Sequence, residues 1–309
     1  MPDLLQIGGV TDTMRNRLEE KFTIHKLSDG LYPAEAITHV ATNGHDGVPA
    51  DVMARLTSLE MISCYGVGYD AIDVASAKSR GVMVSHTPNV LNAEVATTAV
   101  LLMLACYREL LRDDAWARSG DWEAKGNAPL TRSADNQTVG ILGLGRIGQA
   151  IADKLAPWNC TIVYHSRSEK KVPYRYYADL AEMARDVDCL ICITPGGPAT
   201  NKIVNAGVME ALGPQGTLIN VSRGSVIDEA AMIAALSNGK LGWAGLDVFE
   251  AEPHVPPALR DLPNVTLLPH VGSATLETRA AMGALTVDNL LQHLSDGTVQ
   301  TPVPECADM

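Results

Sequence analysis

The sequence is poor in aromatic and basic residues. Only two phenylalanines occur among 309 residues, so aliphatic side chains must fill the core. The 24 basic and 36 acidic residues give a formal net charge of −12, which repels the phosphates of nucleic acids and the surfaces of anionic membranes. We therefore expect neither a nucleic acid nor a membrane as a partner.

The sequence also has no apolar run long enough to cross a membrane. A spanning helix needs about 20 apolar residues, whereas the most apolar window, 95–107, is bounded by Glu94 and Arg108 and predicts a buried helix. The start of the chain has no basic segment of the kind found in secretory signals. The six cysteines lie mostly in apolar runs, which is typical of reduced thiols. We expect a cytoplasmic protein.

Short apolar runs alternate with amphipathic stretches along most of the chain. This is the pattern of βαβ units and parallel sheets, and the length suits about two domains of roughly 150 residues each. A long helix is predicted at about 92–111. The polar stretch that follows it, 112–136, is interpreted as a connector to a second α/β series that starts at Thr138. The sequence therefore predicts an α/β fold with two doubly wound domains.

A glycine-rich loop follows the first strand of the second series. The run 138–142 reads as a buried strand, and it is followed by Gly143-Leu144-Gly145-Arg146-Ile147-Gly148 and a helical pattern. In this context the glycines provide a tight turn, a close approach to a pyrophosphate and tight helix packing. The helix N-terminus offers free N–H groups to phosphate. A dinucleotide site is therefore predicted, and the sequence indicates no metal ligands.

The turn after the next strand indicates which dinucleotide is bound. An NAD site places an acid there to bind the ribose hydroxyls, but positions 165–168 hold no acid. The turn instead provides two hydroxyl groups and three cations: Ser166, Arg167, Ser168, Lys170 and Lys171. Charge-assisted hydrogen bonds from such groups suit a 2′-phosphate. The sequence therefore predicts NADP (NADPH) as the cofactor.

Three later segments place charged side chains after predicted strands. Arg223 follows the strand 218–221, Asp247 and Glu252 lie within and after another strand, and His270 follows a third. Ligands of open α/β sheets bind at the carboxyl ends of the strands. An arginine there can bind a carboxylate with both arms of its guanidinium group, and a histidine can exchange a proton near neutral pH. Together these residues predict an acid/base site.

Five motifs occur in the order typical of one family. They are Gly66-Val67-Gly68-Tyr69-Asp70, the Gly143–Gly148 loop, Asn220-Val221-Ser222-Arg223-Gly224, Leu246-Asp247-Val248-Phe249-Glu250-Ala251-Glu252-Pro253 and Leu268-Pro269-His270-Val271-Gly272-Ser273. With them the chain closely resembles the D-isomer-specific 2-hydroxyacid dehydrogenases over nearly its whole length. It is most similar to the NADP-dependent glyoxylate, hydroxypyruvate and hydroxyphenylpyruvate reductases of that family.

The resemblance implies a role for each charged residue. Arg223 would bind the substrate carboxylate and polarise the keto oxygen, and His270 would donate a proton to that oxygen. Glu252 would orient the imidazole and favour its protonated form. The backbone N–H groups of Val67 and Gly68 would hold the carboxylate from the other domain. The resemblance therefore implies NADPH-dependent reduction of a small 2-keto acid to the D-2-hydroxy acid.

The resemblance also implies the domain layout. A Rossmann cofactor domain, residues 99–287, would be inserted into a smaller flavodoxin-like substrate domain, residues 1–98 with 288–309. Family members are usually homodimers through the cofactor domain. The implied cofactor contacts are Gly143, Gly145, Arg146, Ile147, Gly148, Ser166, Arg167, Ser168, Thr194, Thr200, Val221, Ser222, Arg223, Asp247, His270, Gly272 and Ser273.

Alternatives remain at this stage. An aryl pyruvate such as hydroxyphenylpyruvate is a second substrate class, because the sequence does not define the size of the pocket. Formate dehydrogenases share the fold but are expected to carry glutamine at the position of Glu252. The L-lactate and malate class fits poorly, because its glycine loop lies near the N-terminus. A dinucleotide-sensing interaction protein without catalysis is a further alternative.

Overall fold

The computed structural model describes residues 1–309, and the chain divides into two compact units. Unit 1 comprises residues 1–91 and 273–309, and unit 2 comprises residues 92–272. The boundaries expected from the resemblance, after residues 98 and 287, fall inside two helices, Asn92–Tyr107 and Leu276–Asp296. No helix is long and apolar enough to cross a membrane.

The structure contains twelve strands and twelve α-helices. The strands are β1 (Asp3–Gln6), β2 (Thr23–Lys26), β3 (Ile37–Asn43), β4 (Met61–Tyr65), β5 (Met83–Ser85), β6 (Thr138–Leu142), β7 (Thr161–His165), β8 (Arg175–Tyr177), β9 (Cys189–Cys192), β10 (Thr217–Asn220), β11 (Trp243–Leu246) and β12 (Val265–Leu267). The helices are α1 (Asp12–Glu19), α2 (Ala50–Arg55), α3 (Val74–Ser79), α4 (Asn92–Tyr107), α5 (Leu110–Arg118), α6 (Asp121–Lys125), α7 (Arg146–Leu155), α8 (Leu180–Asp186), α9 (Ala206–Leu212), α10 (Glu229–Ser237), α11 (Pro257–Arg260) and α12 (Leu276–Asp296).

Unit 1 is built on a five-stranded parallel sheet. Its strand order, β2-β1-β3-β4-β5, is that of the flavodoxin-like fold. Every residue of β4 is buried, as expected for a central parallel strand covered on both faces. The long helix α12 packs against β3 and β4. Thr275 caps its first turn by accepting a hydrogen bond from the Thr278 N–H, and Gly297, with φ of +78°, ends it.

Unit 2 is built on a seven-stranded parallel sheet. The strand order is β12-β11-β10-β9-β6-β7-β8, which is the Rossmann order with one strand added at the β12 edge. The order reverses between β6 and β9, where the loops after the two strands diverge and leave a crevice for ligands. The predicted fold class, two doubly wound α/β domains of Rossmann and flavodoxin type, is confirmed.

The apolar window 95–107 forms most of α4, a largely buried helix, as the sequence predicts. The helix ends at Tyr107, however, and not near residue 111, because Glu109 adopts a φ of +45°. The stretch 112–136, interpreted as a connector, contains most of α5 and all of α6, which extend to Lys125. Ion pairs four residues apart, such as Arg118 with Asp114 at 2.8 Å, stabilise these polar helices.

Candidate active site

The glycine loop lies at the point where the strand order of unit 2 reverses. Gly143, directly after β6, has a φ of +103°, and a Cβ there would lie 2.8 Å from the Ile193 carbonyl oxygen after β9. A Cβ at Gly148 would overlap the Gly143 carbonyl oxygen. Both positions therefore need glycine for the turn and for the packing of α7. A Cβ at Gly145 would meet no protein atom within 4 Å, so its surface is open for a ligand.

Two polar features border this open surface. No side chain caps the N-terminus of α7, so the N–H groups of its first turn, at Arg146 and Ile147, are available to an anion. The Thr194 hydroxyl, beside Gly143, is buried without a hydrogen-bond partner. Buried polar atoms normally have a hydrogen-bond partner, so a bound ligand is expected to provide one here. The open glycine, the helix N-terminus and the unpaired hydroxyl together fit a dinucleotide pyrophosphate.

The turn after β7 presents its cation to solvent. The Ser166 hydroxyl donates to the Ser168 carbonyl oxygen at 2.7 Å, and the Ser166 carbonyl oxygen accepts from Tyr176 at 3.2 Å. These bonds fix the backbone of the turn, while the Arg167 side chain is exposed. No acidic side chain follows β7 before Glu169. The donor set suits a phosphate better than a ribose hydroxyl.

The turn after β10 carries Arg223. The Asn220 amide oxygen accepts from the Ser222 N–H at 3.0 Å and from its hydroxyl at 2.7 Å, and the Asn220 amide nitrogen donates to the Arg223 carbonyl oxygen at 3.0 Å. A Cβ on Gly224 would overlap the Phe249 carbonyl group. This close backbone approach requires glycine and brings the Arg223 turn against the segment that follows β11.

Asp247 holds the turn that carries the histidine. Its side chain is buried, with one carboxylate oxygen accepting from the Val271 N–H at 2.7 Å and the other from the Gly272 N–H at 2.8 Å. The Asp247 carbonyl oxygen accepts from the His270 N–H at 2.8 Å. Burial raises the pKa of the Asp247 carboxyl, and the two backbone hydrogen bonds partly offset that rise. The sequence did not predict these hydrogen bonds of Asp247 to the backbone of residues 270–272, which we call the Asp247 clamp.

His270 and Glu252 form an acid/base pair. The imidazole Nδ1 lies 2.7 Å from Glu252 Oε2, and Glu252 Oε1 accepts from the Phe249 N–H at 3.0 Å. The carboxylate is fixed at both oxygens and its side chain is only 16% exposed, whereas the His270 side chain is 42% exposed. His270 has a φ of +54°, an uncommon conformation outside glycine. Its Nε2 is left as the nitrogen that can exchange a proton with a ligand.

The predicted carboxylate-binding loop of unit 1 follows β4. Its carbonyl oxygens accept bonds within unit 1: that of Gly66 from the Thr87 N–H at 2.8 Å, and that of Val67 lies 2.9 Å from His86 Nδ1. The N–H groups of Val67 and Gly68 donate to no protein group. They are therefore available to an anion. His86, which holds this loop, was not identified from the sequence, although it directly follows β5.

The remaining predicted cofactor contacts lie on several elements. Val221 and Ser222 are buried beneath the Arg223 turn, and Thr200 donates its hydroxyl to the Pro195 carbonyl oxygen at 2.7 Å. Ser273 belongs to unit 1, whereas Gly272 ends unit 2. Unit 2 thus brings together the glycine loop, the β7 turn and the Arg223, Glu252 and His270 side chains at the carboxyl ends of one sheet.

A parallel sheet of Rossmann order with a glycine loop at its reversal point defines a dinucleotide-binding protein, and the histidine–carboxylate pair indicates an oxidoreductase. Residues 100–272 match the family model described as "D-isomer specific 2-hydroxyacid dehydrogenase, NAD binding domain". The chain belongs to the D-isomer specific 2-hydroxyacid dehydrogenase family. This confirms the resemblance seen in the sequence motifs.

Proteins of known activity resemble the chain over most of its length. It is 41% identical to a 2-ketogluconate reductase of Gluconobacter oxydans, over 98% of both chains. It is 44% identical to a hydroxyphenylpyruvate reductase of Plectranthus scutellarioides, over 87% of this chain and 86% of that one. A crystal structure of an NADPH-dependent glyoxylate/hydroxypyruvate reductase from Sinorhizobium meliloti, in complex with NADP and malonate, superposes with a TM-score of 0.94 at 44% identity, over 99% and 97% of the two chains.

Proposed function

We propose that the protein reduces a small 2-keto acid, such as glyoxylate or hydroxypyruvate, to the D-2-hydroxy acid with NADPH. The observation that carries this proposal is the His270–Glu252 pair, 2.7 Å apart, with Arg223 on a neighbouring strand end of the same sheet. A proton donor and a carboxylate-binding cation are the two groups that reduction of a 2-keto acid requires.

The cofactor site is formed by the glycine loop and the β7 turn. The α7 N-terminus and the open side of Gly145 receive the pyrophosphate. The pyrophosphate in turn provides a hydrogen-bond partner for the buried Thr194 hydroxyl. Arg167 with Ser166 receives the 2′-phosphate. The resemblance adds Thr200, Val221, Ser222, Gly272 and Ser273 as further contacts. When bound, NADPH supplies the hydride that reduces the keto carbon.

The catalytic roles follow from the hydrogen bonds of unit 2. His270 donates a proton from Nε2 to the keto oxygen, while its Nδ1–H remains hydrogen-bonded to the Glu252 carboxylate. The carboxylate fixes the orientation of the ring and compensates the charge of the imidazolium form. Arg223 binds the substrate carboxylate and polarises the keto oxygen. Asp247 aims the imidazole through its backbone bonds to residues 270–272, and the remaining lone pairs of its carboxylate can accept from the cofactor carboxamide.

In unit 1, the loop after β4 is the candidate for binding an anionic group of the substrate. The N–H groups of Val67 and Gly68 point to no protein acceptor, and paired backbone N–H groups bind anions without a charged side chain. His86 fixes the orientation of the loop through the Val67 carbonyl oxygen. We assign this loop to the substrate, in a substrate domain formed by unit 1, and we assign unit 2 to the cofactor.

A second candidate activity is the reduction of an aryl pyruvate. Its support is the 44% identity to a hydroxyphenylpyruvate reductase. Values of kcat/KM for glyoxylate, hydroxypyruvate and hydroxyphenylpyruvate with NADPH distinguish the two activities. The oxidation of NADPH is measured as the loss of absorbance at 340 nm. Highest kcat/KM for a small keto acid is expected. Absence of turnover with all three would refute the enzymatic proposal and favour a dinucleotide-sensing protein.

We also propose a homodimer formed through unit 2. Large apolar side chains are exposed on α4, α5, α6 and the segment after them: Leu101, Leu110, Leu111, Trp122 and Leu130. A contiguous exposed apolar patch marks a protein interface, and we infer that these side chains form one. Sedimentation equilibrium of the full chain tests this, with twice the monomer mass expected.

The location we propose is the cytoplasm. All six cysteines are free, and five of them are buried in the cores of the two units, which suits a reducing compartment. Subcellular fractionation with an antibody to the protein tests this, and recovery outside the cytoplasmic fraction would contradict it.

A further inference from the structure

Unit 1 contains a cluster of two histidines and a carboxylate that the proposed reaction does not use. His39 lies in β3, His293 in the last turn of α12, and Glu60 directly before β4. His39 Nε2 lies 3.2 Å from His293 Nδ1. One ligand atom from each of the three side chains lies within 4.8 Å of the other two. Residues remote in the sequence therefore direct three possible metal ligands to one point.

The distance between the two ring nitrogens suits a shared metal ion. Nitrogens that each lie about 2.0–2.1 Å from a tetrahedral zinc ion are about 3.3 Å apart, close to the 3.2 Å between His39 Nε2 and His293 Nδ1. Glu60 is exposed, so a rotation of its side chain can bring an oxygen into bonding distance. Two histidines and one glutamate form a known set of zinc ligands that leaves a position for water.

The surroundings of His39 fix its ring for this purpose. His39 is buried, and its Nδ1 lies 2.8 Å from the Thr38 hydroxyl. The same hydroxyl lies 3.4 Å from the Asp3 carbonyl oxygen, to which it can donate. In that arrangement Nδ1–H donates to Thr38, and the lone pair of Nε2 faces His293. Phe22 packs against the ring with centroids 5.0 Å apart. An outer hydrogen bond that sets the tautomer is typical of metal-binding histidines.

Each imidazole directs one ring nitrogen toward the point between the two side chains, Nε2 from His39 and Nδ1 from His293. The exposed Glu60 and the half-buried His293 give an ion access from solvent.

We propose that His39 Nε2, His293 Nδ1 and the Glu60 carboxylate form a site for a divalent zinc ion. The ion ties the last turn of α12 to the start of β3 and β4, and so fastens the C-terminal part of unit 1 to its sheet. The site is separate from the proposed catalytic residues Arg223, Glu252 and His270, which all belong to unit 2. The simple alternative is an N–H···N hydrogen bond between the two rings.

Isothermal titration calorimetry tests the proposal. Zinc chloride is titrated into the full chain, from which metal has first been removed with EDTA. Saturable binding to the wild type is expected, with at least about a 10-fold weaker Kd in His293→Gln and in Glu60→Gln, since even outer-shell changes cost about 10–100-fold. Both substitutions lie at accessible positions, so these variants avoid replacing the buried His39. Zinc should also raise the Tm of the wild type and not that of His293→Gln.

His25→Gln is the matched control, because His25 is a histidine of unit 1 outside the cluster that also lies beside a carboxylate, that of Asp3, at 2.7 Å. It should bind zinc like the wild type, and the binding that persists in His293→Gln measures other weak sites such as His270 with Glu252. Equal Kd values for the wild type, His293→Gln and Glu60→Gln would overturn the proposal and leave the hydrogen-bonded histidine pair. Loss of binding in His25→Gln alone would overturn it as well.

Discussion

Replacing Arg167 by alanine tests the cofactor preference. The Arg167 side chain is exposed on the turn after β7 and makes no ion pair with the protein, so its removal should leave the fold intact. What it removes is the cation proposed for the 2′-phosphate, a group that NADPH has and NADH lacks. The substitution should therefore lower the activity with NADPH and leave the activity with NADH nearly unchanged.

The size of the effect follows from the number of bonds lost. A hydrogen bond between charged groups contributes about 1.5–3 kcal/mol, and the exposure of Arg167 favours the lower value. At about 1.4 kcal/mol for each factor of ten, one bond predicts roughly a 10-fold fall in kcat/KM for NADPH. A guanidinium group bound through two nitrogens predicts about a 100-fold fall. The value for NADH should change by less than about 2-fold, since no bond to NADH is lost.

Initial rates at 340 nm, with each cofactor varied at saturating keto acid, give both ratios. Arg175→Ala is the matched control, because Arg175 is also an exposed arginine but begins β8, where it pairs with Val163 in the middle of β7. It therefore lies away from the turn after β7 that carries Arg167. Equal losses with NADPH and NADH in Arg167→Ala, or a wild type that prefers NADH, would refute the assignment of the 2′-phosphate.

Three further predictions concern the glycine loop, the clamp and the interface. Gly145→Ala should keep the wild-type Tm, because its methyl group meets no protein atom, but should weaken NADPH binding measured by fluorescence titration. Gly148→Ala should instead lower the free energy of unfolding by about 1–3 kcal/mol through overpacking; the opposite pattern would contradict the loop assignment. Asp247→Asn should lower both kcat and the free energy of unfolding in urea, the latter by about 1–3 kcal/mol, because a buried N–H loses its acceptor, and an unchanged kcat would exclude the clamp. Trp122→Asp should raise the dimer Kd in sedimentation at least about 10-fold, and an unchanged value would place the interface elsewhere.

The sequence predicted the interior of each sheet better than its edges. Central strands such as β4 and β9 are continuous apolar runs because both faces are covered. The edge strands β2 and β8 escaped prediction, since their residues are mostly half-buried or exposed. The helices α5 and α6 have no buried residue, so they have no apolar period to reveal them.

The site was predictable where chemistry is concentrated in a motif. Arg223, Glu252 and His270 each stand out as charged residues after apolar strands. The supporting contacts were not predictable, because Asp247 acts through the backbone N–H groups of residues 271 and 272. His39 and His293 belong to distant segments, and only the packing of α12 on β3 brings them together.

The rate of keto-acid reduction by His270→Gln tests the central claim most directly. Glutamine keeps a polar side chain of similar length but cannot donate a proton as the imidazolium does. Single-turnover rates with bound NADPH and saturating hydroxypyruvate or glyoxylate separate the chemical step from binding. Loss of a general acid should lower the rate about 10²–10⁴-fold, while the Kd for NADPH stays close to that of the wild type. A variant that reduces the keto acid at the wild-type rate would contradict the proposed role of His270.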